Sequence, residues 1–124
     1  MRKLMILVLA LVLLGASTAA TAATMSCSLD GVDFTPKYCF GMLPGAHYAK
    51  AVFRVDPPLP ENFEVRWRKV LKGNEYDVPC NAYSSVCTLS IQAFVPLTVI
   101  ALVLEQDNHT WFEVSATAFL ENGQ

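Results

Sequence analysis

Apolar and polar residues alternate along most of the chain, and this period of two restricts the fold more than any other feature of the sequence. Residues 63–68 are apolar at odd positions and charged at even ones, and residues 51–55, 87–93 and 112–120 alternate in a similar way. A period of two places successive side chains on opposite faces of a β-strand, whereas an amphipathic helix needs apolar residues three and four positions apart. The sequence therefore predicts an all-β protein.

Turn-forming residues divide this pattern into short segments. Asp30-Gly31 is typical of a tight turn, residues 72–75 and 106–109 also favour turns, and the proline-rich residues 57–60 predict an extended connector. Residues 99–104 are apolar at every position, which is typical of a strand buried on both faces or covered by a neighbouring segment. About seven short strands in roughly a hundred residues predict an antiparallel two-sheet sandwich.

Alternate residues of the two sheets should form a single core. Trp67 shares its face of the strand with Phe63 and Val65, while charged residues take the other face, so we expect Trp67 to be a core residue. The predicted core consists of Phe53, Val65, Trp67, Leu89, Ile91, Val99, Ala101, Val103, Val114 and Ala116.

The first 23 residues predict a secretory signal peptide. Arg2 and Lys3 begin the chain, residues 4–14 form an uncharged apolar run, and residues 15–23 are small. The alternative is a membrane anchor, but as a helix this run would span only about 16 Å, roughly half of a bilayer's hydrocarbon core, so we expect no stable membrane span. We expect cleavage after residue 22 to 24, a domain of residues 24–124, and a secreted or periplasmic location.

The charge balance argues against a nucleic-acid partner. Loss of Arg2 and Lys3 leaves seven basic residues against eleven acidic ones, a net charge of −4 with neutral histidines. Proteins that bind nucleic acids carry basic patches that replace counterions on the phosphates. The same acidic balance disfavours adsorption to anionic lipid.

Four cysteines, Cys27, Cys39, Cys80 and Cys87, form an even set, and disulfides are expected in an exported chain. Three connectivities are open, and we favour the local one, Cys27 with Cys39 and Cys80 with Cys87, because each pair brackets turn-rich sequence. The spacings, with eleven and six intervening residues, are unlike the C-x₂₋₄-C pairs of zinc sites, and a redox C-x-x-C motif is absent. We therefore expect no metal site.

The sequence contains no recognisable catalytic machinery. His47 and His109 are isolated and fall in predicted loops, and no serine lies in a G-x-S-x-G turn. Asp30 and Asp33 resemble the start of a calcium-binding loop, but its remaining positions do not follow. We expect a non-catalytic protein with no catalytic residues and no cofactor.

Two aromatic residues are candidates for an interface. Tyr83 lies in the loop that a Cys80–Cys87 disulfide would brace, and Trp111 follows the last predicted turn at a polar position of the final strand. Large exposed aromatic rings often mark interfaces. Phe119 shares the parity of Trp111, and the alternative that we favour for both rings is packing under residues 27–48.

Several of these features occur in an order that resembles an immunoglobulin-like domain. A tryptophan lies within residues 63–67 after a proline-rich connector, and residues 97–103 lead through a polar turn into a last strand ending at residues 114–119. The order is similar to that of polycystic-kidney-disease-type or fibronectin-like domains of small exported proteins, bacterial ones above all. Residues 97–105 lack the cysteine and tyrosine of antibody-type domains.

The resemblance implies a β-sandwich and a non-catalytic binding or structural module, with an unknown protein or glycan as partner. It carries over no functional residues, since a fold alone does not assign a function. The alternative is an inhibitor of a secreted or periplasmic hydrolase, because such inhibitors are commonly compact and disulfide-bonded. In that case the Cys80–Cys87 disulfide would brace a protruding loop at residues 81–85.

Overall fold

The computed structural model describes residues 23–57, 59, 61–107 and 109–123, and the predicted signal peptide, except for its last residue, lies outside them. The described residues contain no helix, so the prediction of an all-β fold is confirmed. The strands are β1 (Thr24–Ser28), β2 (Thr35–Pro36), β3 (Tyr38–Met42), β4 (Tyr48–Asp56), β5 (Phe63–Leu71), β6 (Asn74–Asp77), β7 (Val86–Gln92), β8 (Leu97–Glu105) and β9 (Thr110–Glu121).

The strands form two sheets, one of four strands in the order β2-β1-β4-β7 and one of five in the order β3-β9-β8-β5-β6. Immunoglobulin-like domains place their first, second and fifth main strands in one sheet and the third, sixth and seventh in the other. Here β1, β4 and β7 share one sheet, and β5, β8 and β9 share the other. The fold is therefore an immunoglobulin-like β-sandwich, as the sequence predicts.

The first part of the domain adds a parallel pair to this predicted antiparallel arrangement. β3 runs parallel to β9, with Phe40 opposite Phe119, whereas the other paired strands are antiparallel. The chain crosses from β1 in one sheet to β3 in the other, so it enters the second sheet in the direction of its last strand. The short strands β2 and β6, of two and four residues, bring the count above the predicted seven.

The core lies between the two sheets and includes the predicted residues. Trp67 is 3% exposed, and its indole Nε1 donates a hydrogen bond to the Asn81 carbonyl at 3.2 Å. Leu89 and Val114 are half-buried at the margin of the core. The structure also buries residues that the prediction omitted: Met25, Cys27, Cys39, Ala51, Val55, Val78, Cys87, Ala93, Leu97, Ala118 and Leu120.

Both disulfides join neighbouring cysteines in the sequence, which is the local connectivity. Cys27 on β1 is bonded to Cys39 on β3, so this disulfide joins the two sheets. Cys80, in the connection after β6, is bonded to Cys87 on β7. The Cα atoms are 5.6 Å apart in each pair, and none of the four cysteines is left as a free thiol.

A two-residue turn joins β5 to β6 where the sequence predicted one. Lys72 and Gly73 have φ angles of 52° and 82°. Positive φ at both central residues is typical of a type I′ turn, whose twist matches that of the flanking strands. Leu71 and Asn74 therefore pair directly, and β6 forms one edge of the five-stranded sheet.

Candidate functional site

The outer face of the five-stranded sheet, meaning the face turned away from the core, is unusually apolar along β8. Inward residues of β8 such as Val99 and Ala101 are buried, whereas Ile100, Leu102 and Leu104 point outward and are half-buried. The described residues form two layers, so no third layer covers this face. Because the solvent face of an antiparallel sheet is normally polar, these three side chains require an explanation.

A group of exposed aromatic rings adjoins this face at the corner formed by β3 and β9. Phe40 and Phe119 are opposite each other in register, and their rings stack with centroids 6.0 Å apart and planes inclined by 11°. Phe94, in the turn after β7, meets Phe119 edge-on at 6.4 Å. We call Phe40, Phe94 and Phe119 the aromatic cluster. Phe40 remains 54% exposed and Phe94 remains 45% exposed, so the cluster is open to solvent.

The backbone of Phe94 adopts a conformation that its side chain does not favour. Its φ is 65°, in the left-handed region, and its N–H donates to the Leu120 carbonyl at 2.8 Å. For residues other than glycine, asparagine and aspartate, this region costs about 1–2 kcal/mol. A glycine would fit the backbone better, so the exposed ring is held at a position where folding alone does not favour it. Strained residues of this kind are concentrated at functional sites.

Trp111 lies on the same outer face, at the other end of β9. It is 65% exposed and pairs in register with Leu104. Eight residues separate it from Phe119, which corresponds to about 26 Å along a strand. Phe119 contacts Phe40, which belongs to the segment 27–48 that the sequence proposed as its cover, whereas Trp111 stays exposed. Trp111 and the aromatic cluster thus lie at opposite ends of one apolar face.

Tyr83, the other candidate, is 69% exposed but lies away from these residues. Its N–H donates to the Asn81 side-chain oxygen at 2.8 Å, and the neighbouring Ala82 carbonyl accepts the N–H of Val65 at 2.7 Å. The loop therefore lies along the edge of β5. Since β5 and β8 separate it from β9, the backbones of Tyr83 and Trp111 are about 14 Å apart. The structure does not join the two residues into one patch.

Charged side chains border the apolar face. Glu113 and Arg66 pair in register with Leu102 from its two sides. Arg68 forms ion pairs with Glu75 at 2.9 Å and with Asp77 at 3.5 Å, and these pairs are solvent-exposed, so each contributes little to stability. An apolar centre with a charged rim is the usual composition of a protein–protein interface.

Asp30 closes its own turn. The Ser28 hydroxyl donates to its carboxylate at 2.7 Å, and the backbone N–H groups of Val32 and Asp33 donate at 2.8 and 2.9 Å. These hydrogen bonds stabilise the charged form and lower the pKa of Asp30 from 3.8 to about 2, with the Ser28 hydroxyl as the largest cause. The carboxylate is therefore engaged within its own loop.

The remaining chemistry-bearing residues do not converge. His47 and His109 are exposed and lie in separate loops. In the part of the chain that the structure describes, no three histidine, cysteine or acidic side chains come close enough together to hold a metal ion. Within the same residues, no helix has the length and apolarity needed to cross a membrane.

Sequence reasoning missed the residues of β3 and the turn after β7. Residues 38–42 read Tyr-Cys-Phe-Gly-Met, so large side chains alternate with small ones, and this was the available signal for a strand with one bulky face. Tyr38, Phe40 and Met42 all point outward and are at least half exposed. Nothing in the sequence near Phe94 indicates that its ring meets Phe119, because that contact depends on the pairing of distant strands.

Comparison with known proteins identifies no relative by sequence. No protein-family model and no curated protein matches the chain. Among solved structures, the chain is similar to the solution structure of the PKD domain from human KIAA0319, with 12% sequence identity, coverage of 80% of each chain and a TM-score of 0.48. A likeness at this level carries no information about function, so the fold assignment rests on the strand order.

Proposed function

We propose that this protein is an exported, non-catalytic binding module that contacts its partner through the outer face of the five-stranded sheet. The observation that carries the proposal is the aromatic cluster, with Phe94 exposed and held at a φ of 65°. Contiguous apolar patches on a protein surface mark interaction sites, and aromatic residues contribute much of the binding energy at such sites. The two disulfides support export, since they persist in oxidising compartments.

A protein with an apolar surface is the partner that fits this face. The central residues Ile100, Leu102 and Leu104 offer aliphatic contact area, and charged residues occur at the border. Glycan recognition needs polar groups that converge on hydroxyls, and the outer face places Glu113 and Arg66 on opposite sides of Leu102. The composition of the face therefore favours a protein over a glycan.

The inhibitor hypothesis required a loop that protrudes from the domain. Residues 81–85 are instead held against β5 through the Ala82 carbonyl and through the Trp67 indole, which donates to Asn81. The surface features of the loop reduce to the exposed ring of Tyr83. This geometry favours the outer face as the contact surface.

Site-specific crosslinking tests the proposal. A photoreactive phenylalanine analogue at position 40 should give an adduct of one defined mass in the cells that export the protein. The same analogue at Val32, which is 77% exposed in the loop after β1, serves as the control and should give no such adduct. An adduct of twice the chain mass would mean that the partner is a second copy, and equal adducts at both positions would contradict the proposal.

The variant Phe94→Gly separates binding from folding. Glycine tolerates the φ of 65°, so we expect the melting temperature to stay the same or to rise. Loss of the ring should weaken the crosslinked partner by about 2 kcal/mol or more, roughly thirtyfold. Val32→Ser is the matched control and should change neither quantity. Unchanged affinity in Phe94→Gly would exclude the aromatic cluster from the interface.

A further inference from the structure

The four-stranded sheet ends at β7, and one side of this strand has no neighbouring strand. In the described part of the chain β7 pairs with β4 alone. Just outside the two ends of the pairing, the Ala93 N–H donates to the His47 carbonyl at 2.8 Å, and the Val55 N–H donates to the Ser85 carbonyl at 2.9 Å. Because inward and outward groups alternate along an antiparallel pair, the even-numbered residues of β7 direct their backbone groups away from β4.

The two ends of this free edge are closed, whereas its middle is open. The Ser84 hydroxyl bonds both the N–H and the carbonyl of Val86 at 3.1 Å, and the Gln92 carbonyl accepts the Val95 N–H at 3.2 Å. Thr88 and Ser90 lie between them, and both side chains are exposed. β7 contains neither a charged residue nor proline, the devices that usually protect an edge strand from pairing.

A cavity lies beside this edge, between β7 and the other sheet. Its volume is about 190 Å³, and its lining includes Ser90 and Ile91 of β7 together with Lys69 and Leu71 of β5. Tyr76 of β6 pairs with Lys69 and is 46% exposed. The core-facing side of the five-stranded sheet is therefore uncovered here, at the place where a further strand beside β7 would lie.

Lys69 supplies a charge without a counter-charge. Its Nζ lies 6.0 Å from the centre of the Tyr76 ring, and among the described residues it has no ion pair. Its neighbour Arg68 points to the opposite face of the sheet and has two acidic partners, Glu75 and Asp77. The cavity thus combines an apolar wall with one half-buried ammonium group.

We propose that β7 accepts an extended peptide segment of another protein as an added strand, with an acidic side chain of that segment directed at Lys69. An added strand would satisfy the open backbone groups of Thr88 and Ser90, which is the usual source of affinity in strand addition. Alternate side chains of the peptide would point into the cavity, where Leu71 favours apolar groups and Lys69 favours a carboxylate. This site lies on a different sheet from the aromatic cluster, and it does not depend on the proposed function.

A second copy of the chain fits this edge less well. Symmetric pairing of two β7 strands would bring Leu89 and Ile91 of each copy to the junction, but Ile91 is already 1% exposed in its own core. Residues 86–92 also contain no acidic side chain that could pair with Lys69. Charge complementarity therefore favours an acidic peptide over self-association.

A synthetic peptide, acetyl-Thr-Val-Thr-Glu-Thr-Val-Thr-amide, is the probe for this site. Pairing with β7 would direct its valines and glutamate into the cavity and its threonine N–H groups at the strand. Calorimetric titration of the mature protein should show saturable one-to-one binding at sub-millimolar concentration. The same peptide with N-methylated threonines keeps its side chains but loses these donors, and it should not bind. Equal binding of both peptides, or of neither, would overturn the proposal.

Charge reversal tests the role of Lys69. Lys69→Glu should weaken the glutamate peptide by at least about fivefold and should favour a peptide with lysine in place of the glutamate. Lys37→Glu, an exposed position beside β3, makes the same change of net charge away from the cavity and should leave both affinities unchanged. Circular dichroism checks that both variants are folded. Equal effects of the two reversals would overturn the proposal, as would a dimer in sedimentation that the peptide does not dissociate.

Discussion

The two tryptophans lie on opposite faces of the five-stranded sheet, and their parity on the strands determines their roles. Trp67 points into the core and is 3% exposed, whereas Trp111 points outward and is 65% exposed. Successive side chains of a strand alternate between faces, so one residue of register decides between a packing role and a surface role. For Trp67 the alternation with Glu64, Arg66 and Arg68 was sufficient to predict burial.

Trp67→Ala should lower the free energy of unfolding by about 3–5 kcal/mol, because it removes a large buried side chain and leaves a cavity. Trp67→Phe retains most of the ring packing but removes the hydrogen bond to the Asn81 carbonyl, and it should cost about 1–3 kcal/mol. Denaturant unfolding followed by circular dichroism measures both values. A cost below about 1 kcal/mol for Trp67→Ala, as for surface positions, would contradict the assignment of this residue to the core.

At the scale of elements, the segment between β6 and β7 seals one edge of the five-stranded sheet. The Val78 N–H donates to the Trp67 carbonyl at 3.1 Å, and the Ala82 carbonyl accepts the Val65 N–H at 2.7 Å. The segment thus continues along β5 beyond the end of β6, and then crosses to the other sheet. The Cys80–Cys87 disulfide fixes this crossing, because it ties the segment to the first turn of hydrogen bonding on β7.

The double variant Cys80→Ala/Cys87→Ala should lose about 2–3 kcal/mol of stability, the amount expected when a ring of this size no longer restricts the unfolded chain. The shift of the guanidinium midpoint, at unchanged slope, gives this value. Reduced parent protein with both disulfides open should be less stable still, since it also loses the link between the sheets. A double variant as stable as the parent would show that backbone hydrogen bonds alone hold the crossing.

At the scale of the whole molecule, the sandwich offers two separate surfaces with different physical character. The outer face of the five-stranded sheet presents aliphatic and aromatic side chains, and its contribution to binding would be mainly burial of apolar area. The free edge of β7 presents backbone groups beside the Lys69 cavity, and its contribution would be directional hydrogen bonds. The inter-sheet disulfide Cys27–Cys39 joins the layers that carry these two surfaces.

Export of the whole chain leads to a prediction of its mass. Protein recovered from the exported fraction should lack the first 22 to 24 residues, because the basic start, the apolar run and the small residues that follow form a cleavable signal. Intact-mass measurement under non-reducing conditions checks the cleavage site and the two disulfides together. A mass that still includes Arg2 and Lys3 would contradict cleavage.

The sequence determined the strand content, the sandwich and much of the core, because each depends on local alternation and on turn residues. It also favoured the local pairing of cysteines, since both pairs bracket turns. Residues 63–68 and 112–120 needed no tertiary information to be recognised as strands with one buried face. Of the interface candidates, Trp111 could be found by its parity, and its exposure agrees with that reasoning.

Tertiary structure alone decided the parallel pairing of β3 with β9, the aromatic cluster and the free edge of β7. Phe40 and Phe119 are 79 positions apart in the sequence but directly opposite in the sheet. Phe94 joins them because the turn after β7 hydrogen-bonds to Leu120 of β9. Alternation shows which side of a strand faces the core, but it carries no information about which strand lies beside it. That choice follows from how the whole set of strands closes around one core, and the surfaces available for binding follow from that choice.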